Sequence, residues 1–576
     1  MKRALSKRAM SNDPSAPNGW WMHHGDAAHT GLATDSSIDS SNVRNLALRH
    51  EVLLGGPILS TPAVVDGFVY VGIANNLAVA KQNGGGFFKV CCKSGEVVAR
   101  YSWAIEADER DTHGFCGMGC TPAVRDGKVV FAAFNGKVYC LSADDLSEQW
   151  VVDLRNADPK HGQPVTNVLG VDQGYPPAAG WSSPVVANGR VWLGIGEGEN
   201  PFMSSFVVCL DLQSGDVKWI YCTNKFEAHR DNAVNELPIS AVRDIPGAPF
   251  TVFHGKPTTM GCSVWGSIAY SHEFDRIYCP TGNPVPDGAL PTVPYSNGVL
   301  ALDASSGEFR GFRQFPAESS YRSSDIDVDV GGSPTIFRDK GGRLLLSLGC
   351  KNGAFMTMCA ESLEVIDWTQ LLPRYNDGGQ IPTVDVHPPA WVDPNAINPT
   401  ITNRESNETQ GENYCGTYST AAFHPELQRL FMGLGGNNYH PSAPGIDSAS
   451  TPFIRALHVD GLADAWPLDD GDPRRYVHGR PPLYTLEKES GLALPAVAND
   501  VVFMTTSRLA LYAFSVHDGR LLWQDLLGGM ETGGMNGGYG YCLGPAICGD
   551  WVVTGSLMFG ASGGSLRIYT LDRECP

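Results

Sequence analysis

Between residues 190 and 355 the sequence sets oxygen-bearing and cationic side chains among glycines. Glu199 closes Gly194-Ile195-Gly196-Glu197-Gly198-Glu199, and Asn283 stands in Tyr278-Cys279-Pro280-Thr281-Gly282-Asn283-Pro284. Asp325, Asp327 and Asp329 alternate just before Gly331-Gly332-Ser333-Pro334, and Lys351 opens Lys351-Asn352-Gly353. Carboxylate and amide oxygens are the donors that hard cations prefer. A carboxylate is a weak base in water, but beside a metal-polarised hydroxyl it can take a proton. A lysine aimed at oxygens that gain electron density stabilises them, and the indole of Trp265 offers a flat, polarisable face. Each residue also has a plainer reading: glycine-rich acidic turn, solvated strand face, turn-preceding surface lysine, blade-packing tryptophan or turn asparagine.

The elements that must position these residues recur along the chain. Thr61-Pro62-Ala63-Val64-Val65-Asp66-Gly67-Phe68-Val69-Tyr70 returns as Thr121-Pro122-Ala123-Val124-Arg125-Asp126-Gly127-Lys128-Val129-Val130, and again from Ser183-Pro184 to Trp192. Two apolar runs joined by Asp-Gly or Asn-Gly predict a hairpin, because both turn residues must accept positive φ. A second phrase follows, as in Val207 to Trp219, with a turn at Asp211-Leu212-Gln213-Ser214-Gly215 and a second run ending on Trp; Val299 to Glu308 and Tyr512 to Trp523 repeat it. Two hairpins make a four-stranded blade.

Copies of the first hairpin fall near residues 61, 121, 183, 268, 334, 421, 495 and 545, which predicts an all-β, eight-bladed propeller. The last copy ends on Leu566 to Asp572 without a fourth strand. Leu46-Ala47-Leu48-Arg49-His50-Glu51-Val52 alternates like the missing one, so the N-terminal segment is expected to close the ring and remove its open edges. Residues 1–19 read as a tail and 20–576 as one propeller domain. Segments 222–260, 369–412 and 440–490 read as long loops shaping one face.

Composition narrows the partners. A formal net charge of −19 over 576 residues argues against nucleic acid. The basic start (Lys2, Arg3, Lys7, Arg8) precedes no continuous apolar stretch, so neither a signal peptide nor a membrane span is expected. Fifteen cysteines cannot all pair within the chain, and no Cys-x-x-Cys-His occurs to attach a haem. Cys116-Gly117-Met118-Gly119-Cys120 leaves a bridge, a metal site and buried thiols all open.

Trp265-Gly266-Ser267 followed by Thr281-Gly282-Asn283-Pro284 resembles the W-G…T-G-N-P stretch of the quinoprotein alcohol dehydrogenases, and the resemblance covers nearly the whole propeller. It implies pyrroloquinoline quinone (PQQ) and Ca²⁺, or another hard cation, on the propeller axis. Trp265 would be the floor under the quinone. Glu199 matches the last position of the family's G-x-S-G-A-E, so Glu199, Asn283 and Asp327 would hold the metal. Asp327 stands at the catalytic aspartate's interval before Pro334, and Lys351 at the lysine of K-x-G near the quinone carbonyls. The family's sixth-blade pocket asparagine falls near Thr417, and its acidic residue before the first-blade proline is replaced by Leu59-Ser60-Thr61. Cys91-Cys92 is similar to a vicinal disulfide of the family but stands in a turn phrase, so that role is not transferred.

The activity implied is oxidation of an alcohol to an aldehyde or ketone by hydride transfer to the quinone. An external acceptor such as a cytochrome c would take the electrons, in a periplasmic or secreted setting. Trp20-Trp21-Met22-His23-His24-Gly25-Asp26 through Leu46 also resembles the polyvinyl alcohol dehydrogenases, which adds polymeric alcohols to small ones as substrates. A non-catalytic scaffold, or a propeller enzyme with quinone-independent chemistry, are the competing readings.

Overall fold

The computed structural model describes residues 18–76, 85–105, 115–154, 180–196, 205–224, 251–254, 261–282, 284–285, 298–315, 330–350, 354–371, 415–417, 419–436, 454–466, 493–506, 510–526, 540–541, 544–558 and 564–571. Apart from a 3-10 turn at Val43–Asn45, the regular structure among them is β-strand. The strands form an eight-bladed propeller. The innermost strands of blades 1 to 8 are Ala63–Val65, Ala123–Arg125, Val185–Ala187, Ala269–Ser271, Thr335–Arg338, Ala422–His424, Ala496–Ala498 and Ala546–Cys548, each starting one or two residues past the Pro, or its equivalent, of the repeated phrase.

The hairpin turns form where the sequence demands them. Asp66, Asp126 and Asn188 have φ near 50°, and the glycine after each has φ of 70–77°, the paired left-handed conformation of a two-residue hairpin. The Asp-x-x-Ser-Gly turns work differently. Asp211 Oδ1 accepts from the backbone N–H groups of Gln213 (2.9 Å) and Ser214 (3.0 Å), and Asp303 does the same for Ser305 and Ser306.

Neighbouring blades lock through aromatic residues. Trp150 of blade 2 donates its indole N–H to Leu212 O of blade 3 (3.0 Å), and Trp466 of blade 6 donates to Val516 O of blade 7 (3.2 Å). Phe87 stacks on Phe131 at 4.5 Å and Trp192 on Tyr270 at 4.9 Å, so the core lies in the spaces between sheets rather than at one centre.

The ring closes as expected: Leu46–Leu53 pairs antiparallel with Ser565–Leu571, and Glu51 forms an ion pair with Arg567 at 2.9 Å. Two of the expected loops contain strands instead. Thr251–His254 adds in parallel to Val217–Asn224 of blade 3, and Ile454–His458 is the third strand of blade 6, paired with Arg429–Gly433. Arg455 hides the second strand from view in the sequence. Its buried guanidinium is neutralised by both oxygens of Asp464 (2.6 and 3.0 Å) and donates to Leu371 O, so a charged residue occupies a core position. Of segment 369–412, only residues 369–371 are described.

Candidate functional site

Each blade's first strand leaves the axial end at which its second strand arrives, because the two are antiparallel. Residues before first strands and after second strands therefore share one end of the ring. In blade 3, Arg190–Ile195 leads to Gly196, ahead of Glu199; in blade 4, Arg276–Thr281 leads to Gly282, ahead of Asn283. In blade 5, Val330 follows the alternating aspartates and Leu344–Gly349 leads to Cys350, ahead of Lys351. Glu199, Asn283, Asp325, Asp327, Asp329 and Lys351 themselves lie outside the described residues. Trp265 and Thr417 lie within them.

The chain leading to these positions is stitched across blades. Ser182 Oγ of blade 3 accepts from Gly194 N (3.0 Å) and donates to Gly266 O of blade 4 (3.0 Å). Gly282 N donates to Ser263 O at 2.8 Å, and Thr417 N of blade 6 donates to Cys350 O of blade 5 at 3.3 Å. The indole of Trp265 is half-buried in a segment whose neighbours Val264, Gly266 and Ser267 are buried. Trp181 is also half-buried, and Trp181-Ser182-Ser183-Pro184 of blade 3 stands in the same register as Trp265-Gly266-Ser267-Ile268 of blade 4.

Next along each chain comes a girdle of hydroxyls. The backbone N–H of Thr121 donates to Ser183 Oγ (3.0 Å), that of Ser183 to Ser267 Oγ (3.1 Å), that of Ser267 to Ser333 Oγ (3.0 Å), and that of Ser333 to Thr420 Oγ1 (3.1 Å). From blade 2 to blade 6, one small hydroxyl residue thus satisfies the preceding blade's N–H, which explains the Ser or Thr at positions 183, 267, 333 and 420.

The axial space beyond the girdle is filled by residues 19–35, a feature the sequence reading did not anticipate. The innermost strands turn an unpaired edge toward the axis, and this segment meets their N–H groups in turn. Trp20 pairs with Val64 of blade 1, and Trp21 O accepts from Val124 of blade 2. Ala27, Ala28, Thr30 and Gly31 carbonyls accept from Tyr270, Ile336, Phe423 and Val497 of blades 4 to 7, and Asp35 accepts from Gly549 of blade 8.

Three histidines of this segment sit at its centre. His23 lies between Ser183 Oγ (3.5 Å) and Thr420 Oγ1 (3.4 Å), and its ring meets that of His29 edge-on at 4.7 Å. His29 Nδ1 donates to Pro334 O at 3.0 Å, while its buried Nε2 has no partner among the described residues. Burial pushes His29 down to about 3. His24 faces carbonyls with both nitrogens, His29 O at 2.8 Å and Pro495 O at 2.7 Å; burial holds it at about 4 against the pull of those two acceptors toward the charged form. Among the described residues, this stretch of the axis is therefore lined by neutral imidazoles and backbone.

Thr417 is fully buried. Its hydroxyl donates to Gly433 O (2.7 Å) and accepts from Ser419 N (2.9 Å), and its methyl fills the space beside Gly349. Cys120 is a buried thiol 3.3 Å from Ala132 O, pushed up to about 12 by burial, and Cys116 is buried as well. Cys91 and Cys92 are both thiols. Among the described residues, no group of three or more His, Cys, Asp or Glu side chains is arranged to hold a metal.

No family model matches the chain. It is similar to the lupanine 17-hydroxylase [cytochrome c] of a Pseudomonas species, at 23% identity over 525 residues, 85% of this chain and 67% of that one. It is also similar to a quinohemoprotein alcohol dehydrogenase of Pseudomonas putida, at 25% over 357 residues, 59% of this chain and 46% of the other. The chain thus spans about two thirds of the first relative's length and under half of the second's. Among solved structures it superposes on a europium-containing methanol dehydrogenase with a TM-score of 0.64 at 16% identity, covering 96% of this chain and 98% of that one. The quinohemoprotein alcohol dehydrogenase of Comamonas testosteroni gives 0.63 at 16% identity, covering 100% of this chain and 85% of the other.

Proposed function

From a chain that resembles the quinoprotein alcohol dehydrogenases along most of its length and shares their eight-bladed ring, we propose an oxidoreductase that converts an alcohol to an aldehyde or ketone with PQQ and a hard cation such as Ca²⁺. The observation that carries this reading is the half-buried indole of Trp265, next to Gly266, which blade 3 holds through Ser182 at the end of the ring where the second strands arrive. Such a surface fits a planar conjugated ring, because an aromatic face binds it without ordering a flexible side chain. The oxygen donors that the sequence places after the second strands of blades 3 and 4, Glu199 and Asn283, suit a hard cation.

When bound, the quinone supplies the two-electron oxidant for the substrate carbon, and the cation polarises the oxygens around it. Asp327 accepts the proton of the substrate hydroxyl, Asp325 and Asp329 being its neighbours on the chain. Lys351 places a positive charge toward the oxygens that gain electron density. Trp265 forms the floor, and Thr417 braces the blade 5 and blade 6 boundary through its bonds to Cys350 and Gly433. The alcohol, small or polymeric, is oxidised there, and a partner such as a cytochrome c accepts the electrons.

Titration of the purified chain with PQQ and Ca²⁺, followed by the absorbance of bound quinone, and then dye reduction with a panel of primary and secondary alcohols, tests the reading. Saturable binding with turnover is expected. Binding without turnover on any alcohol would point to a scaffold or to altered chemistry, and no binding would reject the quinone.

A further inference from the structure

Blades 3 and 4 each carry an indole at the same register, two residues ahead of the girdle hydroxyl: Trp181 before Ser183 and Trp265 before Ser267. The flanking blades carry glycine there, Gly119 in blade 2 and Gly331 in blade 5. We propose that Trp181 is a second stacking residue of the axial pocket, so that the ligand meets two adjacent indoles. The inference rests on the planar-cofactor reading of that pocket and deepens it.

Three observations carry it. The residues that follow the two tryptophans are joined directly, since Ser182 Oγ donates to Gly266 O at 3.0 Å, and the next pair is joined by Ser183 N to Ser267 Oγ at 3.1 Å. The two backbones therefore run side by side with the indoles leaving from matched points. Both tryptophans are half-buried, whereas Ser182, Ser183, Gly266 and Ser267 beside them are buried, so within these two described segments the accessible surface belongs to the tryptophans. Finally, Trp181 is braced. The fully buried Phe134 of blade 2 meets it edge-on at 5.2 Å and 65°, and occupies the space that side chains at Gly119 and Gly180 would need, a Cβ there coming within 2.5 and 2.4 Å of its ring.

That arrangement costs blade 2 a side chain at Gly119 and gives it to the support of an indole that is still reachable. A preorganised indole offers a rigid face whose ordering cost is already met in the fold. The ligand class is a flat, conjugated, oxygen-rich ring, and PQQ is the probe.

The test is an equilibrium titration of the full-length chain with PQQ in the presence of Ca²⁺, read by indole fluorescence quenching and quinone absorbance. Wild type is compared with Trp181→Leu, Trp181→Phe and Trp265→Leu, with thermal unfolding recorded for each. Loss of a stacking partner weakens binding roughly tenfold or more, so Trp181→Leu and Trp265→Leu should each raise Kd by at least about that factor. Trp181→Phe should recover most of the affinity at an unchanged unfolding temperature, which a purely structural role would not produce. Wild-type affinity in Trp181→Leu, with Trp265→Leu weakened, overturns the inference and leaves the cofactor reading standing. Failure of the wild type to bind PQQ overturns both.

Discussion

Gly307 lies flat against the indole of Trp219 from the preceding blade: a Cβ added to it would come within 2.6 Å of Cδ2, and its φ of 78° already disfavours any side chain. The same indole donates to Ala304 O in that turn at 3.2 Å. The Asp-x-x-Ser-Gly turn thus serves two elements at once, the hairpin it closes and the tryptophan it seats. Gly307→Ala should cost about 1–3 kcal/mol through overpacking and backbone strain. Urea unfolding would show it as a lower midpoint with an unchanged slope.

Acid should loosen the axial segment before it affects the blades. His29 is neutral in the fold, held at about 3 by burial, but titrates near 6.5 once unfolded. The unfolded chain therefore binds the proton first as pH falls below about 6.5. Stability should drop by about 1.4 kcal/mol per pH unit for this histidine until the native pKa is reached. His29→Asn keeps a donor for Pro334 O and tolerates the φ of 57° found there. Between pH 7 and 5 its unfolding temperature should fall less steeply than that of the wild type.

The blades were legible because their turns are chemically demanding: Asp66-Gly67 and Asn188-Gly189 announce positive φ in residue types that accept it. Closure by Leu46–Leu53 followed from counting strands in the last copy. Residues 19–35 were not legible, because they bond mostly through backbone carbonyls, which any sequence possesses, to strands from 44 to more than 400 positions away. Ile454–His458 was missed because Arg455 breaks an apolar run whose counter-charge, Asp464, is recognisable only once folded. Trp181 had a readable signal. Aligning Trp-Ser-Ser-Pro with Trp-Gly-Ser-Ile, rather than beginning each repeat at the proline, would have paired it with Trp265.

The hydroxyl of Thr417 holds two buried groups, Gly433 O and Ser419 N. Thr417→Val preserves the methyl packed by Gly349 while leaving both groups unpaired, at about 1–3 kcal/mol for such burial. Hydrogen exchange of the Ser419 amide should rise in this variant, and Thr417→Ser should restore protection. Equal exchange in Val and Thr forms would mean that the bond is not maintained in solution.

Cysteine reactivity should divide by environment. Hydrogen bonds from the Ser94 backbone and side chain lower the Cys91 thiol, which is half-buried, whereas burial pushes Cys92 and Cys120 up to about 12. The thiolate is the reactive form. Brief iodoacetamide treatment of the native chain at pH 7.5, followed by peptide mass spectrometry, should find Cys91 alkylated well before Cys92 and Cys120. Equal labelling of Cys91 and its neighbour would contradict the buried seat of Cys92.

Asp327 offers the sharpest separation of chemistry from binding. Changing it to Asn keeps an oxygen donor for a cation but removes the group that accepts a proton. If Asp327 is the general base, turnover should fall by about 10²- to 10⁴-fold, while the Kd for PQQ changes only a few-fold. Single-turnover reduction of the bound quinone, measured across pH for both forms, isolates this step from electron transfer to the acceptor. Turnover equal to wild type would assign the proton to another group, and Asp325 and Asp329, two positions away on either side, would be the next to change.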